Sequence, residues 1–291
     1  MTSVIDGKLI AQKTLDQIKK QIDKIKYYNQ KIPTLSVVLV GNNPASLVYV
    51  ENKKRACISV GMKSIEILLP EDTTTTLLQN TIIKLNTNAD VDGILVQLPL
   101  PKHIDSKIII DTISPKKDVD GFHKYNIGAL ALNSPTICPC TPHGIITLLD
   151  SINFNYPGKS AVVIGSSNIV GRPMMLELLN RGCTVTVCNS KTANITSFTK
   201  NADLVIVAIG KPKFLNKQHI SSNTIIIDVG INRLPNGKIC GDVDFEDMID
   251  IVKYITPVPG GVGPMTIATL ISNTLICYNH NQNKEKIIQY E

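Results

Sequence analysis

The sequence lacks several features that define broad classes of protein. Its strongest apolar runs, residues 93–98 and 204–209, are far shorter than the ~20 residues that a helix needs to span a bilayer. Its opening residues lack the apolar core of a signal peptide, so we expect a cytoplasmic protein with no membrane partner. The net charge is only +6 over 291 residues, which is too weak a bias to predict a nucleic-acid partner.

Patterns typical of disulfide frameworks and metal sites are also missing. The seven cysteines are irregularly spaced, and Cys138-Pro139-Cys140 lacks the second ligand pair of a zinc site. The five histidines include no His-x-x-x-His pair. We therefore expect reduced thiols and no metal. The content of 43% hydrophobic and 19% charged residues is that of a globular protein, which excludes disorder, collagen and coiled coil.

Two series of alternating strands and helices follow an N-terminal amphipathic helix. Predicted strands of the first series are residues 35–40, 65–69 and 93–98, with a helix capped by Asn43 and ended by Gly61 and another after residues 73–76. After the turn-rich residues 135–144, predicted strands are 161–164, 184–188, 204–209 and 225–229, with helices at 172–180 and about 265–278. This alternation predicts α/β domains with parallel sheets, and roughly 150 residues per domain predicts two of them.

A glycine-rich turn, Gly165 to Pro173, joins the strand at residues 161–164 to a helix. Its free backbone N–H groups and the positive end of the helix dipole suit a pyrophosphate. Because the spacing is not G-x-G-x-x-G, a tight turn without a ligand is the alternative.

The strand after that helix ends without the acidic residue that commonly binds the ribose 2′-hydroxyl of NAD. Residues 189–192 contain no carboxylate, while Ser190, Lys191 and Arg172 suit a 2′-phosphate. The sequence thus favours NADP, and the alternative is an NAD site that lacks its usual acid.

Tyr49 and Lys53 are four residues apart in a predicted helix and share one face, whereas Lys54 and Arg55 point elsewhere. A lysine beside an aromatic ring in a cleft loses part of its charge through desolvation and becomes a usable base. The alternative is a lysine on a solvated helix face.

Several long motifs occur in order along almost the whole chain. They are Ser46-x-x-Tyr49-Val50-x-x-Lys53, Gly93 to Pro101, Pro115 to Phe122, Pro139-Cys140-Thr141-Pro142, Gly165 to Pro173, and Pro257 to Thr266. This set resembles the methylenetetrahydrofolate dehydrogenase/methenyltetrahydrofolate cyclohydrolase family.

The resemblance implies an α/β fold of two domains with a cleft between them. One domain, residues 1–143 plus 270–291, binds folate and is completed by the C-terminal helix; the other, residues 144–269, is a Rossmann-type NADP-binding domain. The implied reactions are NADP-dependent oxidation of 5,10-methylenetetrahydrofolate to 5,10-methenyltetrahydrofolate and its hydrolysis to 10-formyltetrahydrofolate. The implied partners are tetrahydrofolate one-carbon derivatives, and the implied assembly is a homodimer.

The resemblance also implies roles for particular residues. Lys53 is the catalytic lysine of the hydrolysis, and Gln97 orients it. Substrate contacts are implied for Tyr49, Val96, Leu98, Asp120, Gly260 and Gly261, with Tyr49 stacking on the aminobenzoyl group and Asp120 accepting from the pterin ring. Cofactor contacts are implied for Gly165, Ser166, Ser167, Arg172, Ser190 and Ile231.

Structural roles are the alternatives at several of these positions. Gln97 is then a buried amide, Asp120 a turn residue and the Gly260-Gly261 stretch a helix-entry loop. Cys140 is expected to be an inert packing residue rather than a nucleophile. Two other functions are a non-catalytic nucleotide sensor on a Rossmann scaffold and a dehydrogenase of another small molecule. The sensor does not explain why Tyr49, Lys53, Gln97 and Asp120 occur together, and the other dehydrogenase does not need Asp120 with Pro259-Gly260-Gly261.

Overall fold

The computed structural model describes residues 2–288 and divides into two compact units. The three-stranded unit contains Lys13–Cys140 and the chain from Ile267 onward, and the six-stranded unit contains the residues up to Gln12 and Thr141–Thr266. These limits lie three residues from the boundaries expected at 143/144 and 269/270. The N-terminal residues differ from the expectation, because their first strand pairs within the six-stranded sheet.

The three-stranded unit is built on a short parallel sheet. Its strands are β2 (Thr34–Val40), β3 (Lys63–Leu69) and β4 (Gly93–Val96), in the order β3-β2-β4. Helices that contribute to it are α1 (Gly7–Tyr27), α2 (Pro44–Val60), α3 (Thr75–Thr87), α4 (Ser106–Thr112), α5 (Lys124–Ala131) and the C-terminal helix α10 (Val262–Ile288).

Central strand β2 is buried along its whole length, which explains its unbroken apolar sequence. Successive side chains point to opposite faces of a strand. Leu35, Val37 and Leu39 pack in one core cluster with residues of α1, α2 and α10. Val38 and Val40 pack in the other with residues of α3 and α4. The unit is therefore a sheet between two helical layers.

The six-stranded unit contains a larger parallel sheet in the order β1-β11-β8-β7-β5-β6. Its strands are β1 (Ser3–Val4), β5 (Ser160–Ile164), β6 (Thr184–Cys188), β7 (Leu204–Val207), β8 (Ile225–Asp228) and β11 (Tyr254–Ile255). A separate antiparallel pair is β9 (Asn232–Arg233) and β10 (Ile239–Cys240). The helices of the six-stranded unit are α6 (Cys140–Ser151), α7 (Gly171–Asn180), α8 (Thr196–Thr199) and α9 (Phe245–Met248), and a 3-10 turn spans Lys217–His219.

Two sequence-based expectations need correction. The stretch at residues 135–144, expected to be turns, is helical from Cys140, where α6 begins. Its Pro142 is compatible with a helix because it lies in the first turn, where the N–H that proline lacks would have no partner in the helix. The last helix is also longer than expected and spans Val262–Ile288. No helix within residues 2–288 is long and apolar enough to cross a membrane.

In each parallel sheet there is a position at which the order of the strands reverses, so that one connection leads toward one edge of the sheet and the next leads toward the other edge. In the three-stranded sheet this position is beside β2, and in the six-stranded sheet it lies between β5 and β7. Ligands of open α/β sheets bind outside the carboxyl ends of the strands at such positions. The loops after β2, β4, β5 and β7 are therefore where functional side chains are expected.

Candidate active site

Helix α2 presents Tyr49 and Lys53 from the three-stranded unit. The Asn43 side chain accepts hydrogen bonds from the backbone N–H groups of Ala45 and Ser46, and Gly61 ends the helix with φ at 84°. Both caps agree with the prediction. Tyr49 is 38% exposed, and partial burial of its hydroxyl raises its pKa.

The three consecutive basic residues of α2 diverge, as their helical spacing predicts. Lys54 forms an ion pair with Glu66 on β3, with 2.7 Å between the charged atoms. Arg55 pairs with Glu51 one turn earlier on the same helix, at 2.9 Å. Lys53 instead points its ammonium at Gln97, whose Oε1 accepts from Nζ at 2.9 Å.

Gln97 directly follows β4, at the carboxyl end of the three-stranded sheet. It is 8% exposed, and both ends of its amide are used: Nε2 donates to the carbonyl oxygen of Leu98 at 2.6 Å. This second bond fixes the amide with its carbonyl toward Lys53. A buried amide with both ends partnered holds the ammonium at a defined position.

The two aspartates of the Asp118-Val119-Asp120 segment have different surroundings. The Asp118 carboxylate accepts from the backbone N–H of Gly121 at 3.2 Å, the backbone N–H of His123 at 2.8 Å and Asn126 Nδ2 at 2.8 Å. Asp118 therefore holds the turn. That leaves the Asp120 carboxylate outside the turn's hydrogen bonds, against the turn-residue alternative.

The segment that contains Asp120 runs alongside β4. Asp118 aligns in parallel with Ile94 of β4, and the N–H of Ile94 donates to the carbonyl of Lys117 at 2.7 Å. Extending this alignment by two residues puts Asp120 level with Val96. Gly121 has φ at 77°, and a Cβ there would lie 2.7 Å from the nitrogen of Pro139, so glycine is required after Asp120.

The electrostatics of this cluster centre on Asp120. Desolvation raises the pKa of its carboxyl to about 6, and the Asp118 charge acts in the same direction. The Lys53 ammonium opposes that rise. Lys53, Gln97 and Asp120 thus form one interacting cluster, in which a cation and a titratable acid lie at the end of a buried strand.

Cys140 lies behind this cluster as a buried thiol. Its Sγ donates to the carbonyl oxygen of Val119 at 3.1 Å, and burial raises the pKa of the thiol well above its ordinary value. It stays protonated near neutral pH, as expected of a packing residue rather than a nucleophile. No two cysteines within the described chain are disulfide-bonded.

Asn273 on α10 supports the same segment and was missed by sequence reasoning. Its Nδ2 donates to the carbonyl oxygens of Val119 at 2.8 Å and Cys138 at 2.9 Å, and the residue is 2% exposed. The available signal was an asparagine between the apolar residues Ile271 and Leu275 of a predicted helix, because a buried asparagine must find hydrogen-bond partners.

The glycine-rich turn of the six-stranded unit follows β5 at the position between β5 and β7. Gly165 has φ at 120°, and a Cβ there would overlap the carbonyl oxygen of Ala208 in the loop after β7. A Cβ on Gly171 would overlap the carbonyl oxygen of Gly165. Both positions therefore require glycine, because neighbouring backbone occupies the space that a side chain would take.

Polar groups around that turn fit a dinucleotide with a 2′-phosphate. Ser167 Oγ accepts from the N–H groups of Val170 at 3.2 Å and Gly171 at 3.4 Å, which leaves the hydroxyl hydrogen to donate. Arg172 is exposed and donates through Nε to the carbonyl of Ser166 at 3.3 Å. Cationic and hydroxyl donors at the start of a helix are the groups that bind phosphate.

The loop after β6 adjoins the glycine turn, because the N–H of Gly165 donates to the carbonyl of Cys188 at 2.9 Å. It is ordered by its own side chains: the N–H of Asn189 donates to Thr192 Oγ1 at 3.0 Å and that of Lys191 to Asn189 Oδ1 at 2.9 Å. Ser190 and Lys191 are exposed. The donor set of this loop therefore fits NADP.

The remaining expected site residues are placed as follows. Val96 is in the core, so a contact from it to a ligand is made by its main chain, whereas Leu98 is partly exposed. Ile231 is 51% exposed in the loop after β8. Gly260 and Gly261 are buried in the six-stranded unit, where the Gly260 carbonyl accepts from the N–H of Lys8 at 3.1 Å. Of the expected residues, Lys53, Gln97 and Asp120 lie together.

Comparison with known proteins gives matches over nearly the whole chain. The family model described as tetrahydrofolate dehydrogenase/cyclohydrolase, catalytic domain, matches residues 5–120, and the one described as its NAD(P)-binding domain matches residues 139–282. The chain is 51% identical over 276 residues to the Bifunctional protein FolD of Ruthia magnifica subsp. Calyptogena magnifica. The aligned residues make up 95% of this chain and 98% of the relative.

Two solved structures have similar folds. One is the Bifunctional Enzyme FolD-Methylenetetrahydrofolate Dehydrogenase/Cyclohydrolase from Campylobacter jejuni, with a TM-score of 0.94, 46% identity, and coverage of 96% of this chain and 100% of that one. The other is the Trypanosoma brucei methylenetetrahydrofolate dehydrogenase-cyclohydrolase complexed with NADP cofactor and inhibitor, with a TM-score of 0.92, 33% identity, and coverage of 96% and 98%.

Proposed function

Because the chain belongs to the tetrahydrofolate dehydrogenase/cyclohydrolase family, we propose that Lys53 and Gln97 carry out the chemistry of a bifunctional enzyme and that Asp120 binds its substrate. The enzyme oxidises 5,10-methylenetetrahydrofolate to 5,10-methenyltetrahydrofolate with NADP and hydrolyses that product to 10-formyltetrahydrofolate. The observation that carries the assignment of residues is the 2.9 Å hydrogen bond from Lys53 to Gln97 beside the Asp120 carboxyl.

The hydrolysis is the step that needs proton management. Water adds to the carbon between the two nitrogens of the methenyl cation, one carbon–nitrogen bond breaks, and one proton is released overall. Lys53 is the group that assists attack by water and moves the proton, since it is held at the site by Gln97. The second hydrogen bond of Gln97, to Leu98, keeps the amide from turning away.

The substrate is held mainly by residues of the three-stranded unit. An ionised Asp120 is purely a hydrogen-bond acceptor and therefore suits the N–H donors of a pterin ring. Tyr49 offers a half-exposed ring for stacking on the aminobenzoyl group. Val96, through its main chain, and Leu98 flank Gln97. Gly260 and Gly261 are assigned to the substrate by their place in the Pro257 to Thr266 motif.

The cofactor is assigned to the six-stranded unit. Bound NADP supplies the hydride acceptor of the oxidation. The turn of Gly165, Ser166 and Ser167 suits the pyrophosphate, and Arg172 and Ser190 suit the 2′-phosphate, while Ile231 is exposed to contact the ligand. The nitrogen lone pair of the folate drives hydride release, so the protein needs no acid for this step and serves to align the reactants and exclude water.

A spectroscopic assay of the purified protein with 5,10-methylenetetrahydrofolate, run in parallel with NADP and NAD, tests this function. We expect reduced cofactor with NADP and a methenyl signal that stays below it, because hydrolysis removes the methenyl product. Full accumulation of methenyltetrahydrofolate would contradict the role of Lys53. Absence of turnover with either cofactor would favour the nucleotide-sensor alternative.

Homodimerisation and a cytoplasmic location are further parts of the proposal. Strand β6 (Thr184–Cys188) lies at the edge of the six-stranded sheet, and an exposed edge strand favours association. Seven cysteines without a disulfide suit a reducing compartment. Light scattering is expected to give about twice the 31.8 kDa mass of one chain, and a monomer at micromolar concentration would contradict the dimer.

A further inference from the structure

Two buried carboxylates, Asp228 and Asp242, lie among the loops of the six-stranded unit and have no part in the assignments above. Asp228 is the last residue of β8, and Asp242 lies between β10 and α9. Asp228 is 3% exposed and Asp242 is 0% exposed. A buried carboxylate is costly unless hydrogen bonds compensate for its lost hydration, so the partners of both groups are informative.

Asp242 connects the loop after β7 with Asn232, the first residue of β9 at the end of the loop after β8. Its Oδ2 accepts from the backbone N–H of Ile209 at 2.7 Å and of Gly210 at 2.9 Å. Its Oδ1 accepts from Asn232 Nδ2 at 2.8 Å. One side chain thus fixes two loops that are more than twenty residues apart in sequence.

Asp228 in turn holds Asp242 in place. Its Oδ1 accepts from the N–H of Asp242 at 2.9 Å and of Gly230 at 3.0 Å, and its Oδ2 accepts from the N–H of Val243 at 2.9 Å. A Cβ at Gly230 would overlap the Asp242 carboxylate, and a Cβ at Gly241 would overlap the Asp228 carboxylate. Glycine is therefore required at both positions, where the backbone passes close to the two carboxylates.

The loops held in this way are those expected to contact the dinucleotide. The loop after β7 starts with Ala208, whose carbonyl oxygen lies against Gly165 of the glycine turn, at the carboxyl edge where dinucleotides bind. Ile231 lies between Gly230 and Asn232, and both of these neighbours are tied to the carboxylate pair. The network therefore reaches the loop against the glycine turn and the residues on either side of Ile231.

We propose that Asp242, held by Asp228, is a positioning residue for NADP, which fixes residues 208–210 and 230–232 in the arrangement that binds the dinucleotide. The inference rests on the proposed function. It predicts that loosening the network weakens cofactor binding more than it affects folate chemistry, because Lys53, Gln97 and Asp120 belong to the other compact unit.

The test is the dissociation constant for NADP, measured by calorimetry on full-length Asp242→Ala and Asn232→Ala proteins at about pH 8. We expect Asp242→Ala to raise it at least about tenfold, because three hydrogen bonds to a charged acceptor are lost. Asn232→Ala, which removes one of the three, is expected to raise it about threefold and keeps the test informative if Asp242→Ala does not fold.

Steady-state kinetics on the same proteins separate positioning from general destabilisation. The KM for NADP is expected to rise at least about fivefold more than the KM for 5,10-methylenetetrahydrofolate, whereas a loss of folded protein lowers both activities together without changing either KM.

Asp203→Ala is the matched control. Asp203 precedes β7 and anchors the N–H of Ser160 at 2.9 Å, at the amino end of the same sheet. We expect its NADP dissociation constant to stay within about twofold of wild type. Unchanged NADP affinity in both network variants, or an equal rise in the Asp203 variant, would overturn the inference. Wild-type protein that turns over neither substrate would instead contradict the proposed function.

Discussion

Replacing Lys53 with methionine is expected to lower the cyclohydrolase rate by about 10²–10⁴-fold, the range typical of losing a general acid–base group, while the dehydrogenase loses much less. Methionine retains the length and apolar stem of lysine but cannot donate to Gln97 or transfer a proton. The measurement is the initial rate of methenyltetrahydrofolate hydrolysis, compared with NADP reduction by the same preparation.

The smaller loss expected in the dehydrogenase comes from the effect of Lys53 on the protonation of Asp120. The Lys53 ammonium holds down the pKa of Asp120, so its removal protonates a larger share of that carboxyl at neutral pH. We therefore expect part of the dehydrogenase activity of Lys53→Met to return as the pH is raised.

Lys54→Met is the matched control, because Lys54 is the next residue of α2 and pairs with Glu66 in a partly exposed ion pair. Such pairs contribute about 0–1 kcal/mol, so both activities should stay near wild type. Wild-type hydrolysis by Lys53→Met, or equal losses in the two variants, would remove Lys53 from the mechanism.

Asp120→Asn is expected to lower kcat/KM for both reactions by about 10²-fold. The substitution keeps the shape of the side chain but replaces a charged acceptor with an amide, whose NH₂ group opposes the N–H donors of the substrate. Hydrogen bonds to charged groups contribute about 1.5–3 kcal/mol each, and two of them account for this loss. Stopped assays of each reaction at varied folate concentration measure the effect.

A pH profile distinguishes the charge of Asp120 from its shape. Desolvation raises the pKa of the Asp120 carboxyl to about 6, so the carboxyl is largely protonated at pH 5 and largely ionised at pH 7. If the ionised form binds the substrate, the KM for folate falls as the pH rises through 6 in wild type. The profile of Asp120→Asn should lack this step, and a step of equal size in the variant would assign it to another group.

Asp118→Asn is the contrasting variant, two residues away and of the same residue type. The Asp118 carboxylate uses both oxygens to accept hydrogen bonds from Gly121, His123 and Asn126. Replacing one of these oxygens with an NH₂ group leaves at least one N–H donor without an acceptor, so the substitution is expected to reduce thermal stability. A fall in Tm with little change in the KM of the remaining folded enzyme is expected. The opposite pattern would exchange the roles of the two aspartates.

Most secondary structure follows from local sequence. Strand β2 is predicted by the apolar run of residues 35–40, and α2 by the Asn43-Pro44 start and the Gly61 end, because capping and periodicity act over a few residues. The two-residue strands β1 and β11 have no such signal. They exist because their backbones pair with each other, some 250 residues apart in the chain.

The position of Tyr49 and Lys53 on one helix face, the glycines of the turn after β5 and the missing acid after β6 were all determined by local sequence. Their consequences depend on geometry within a few residues. The tertiary structure alone decided that Asp118, and not Asp120, holds its turn. It also decided that Asn273 supports that segment from a distant helix and that Asp242 joins two loops. These partners are chosen by the path of the chain, since a buried polar group must bond to whatever donor or acceptor the packing brings to it.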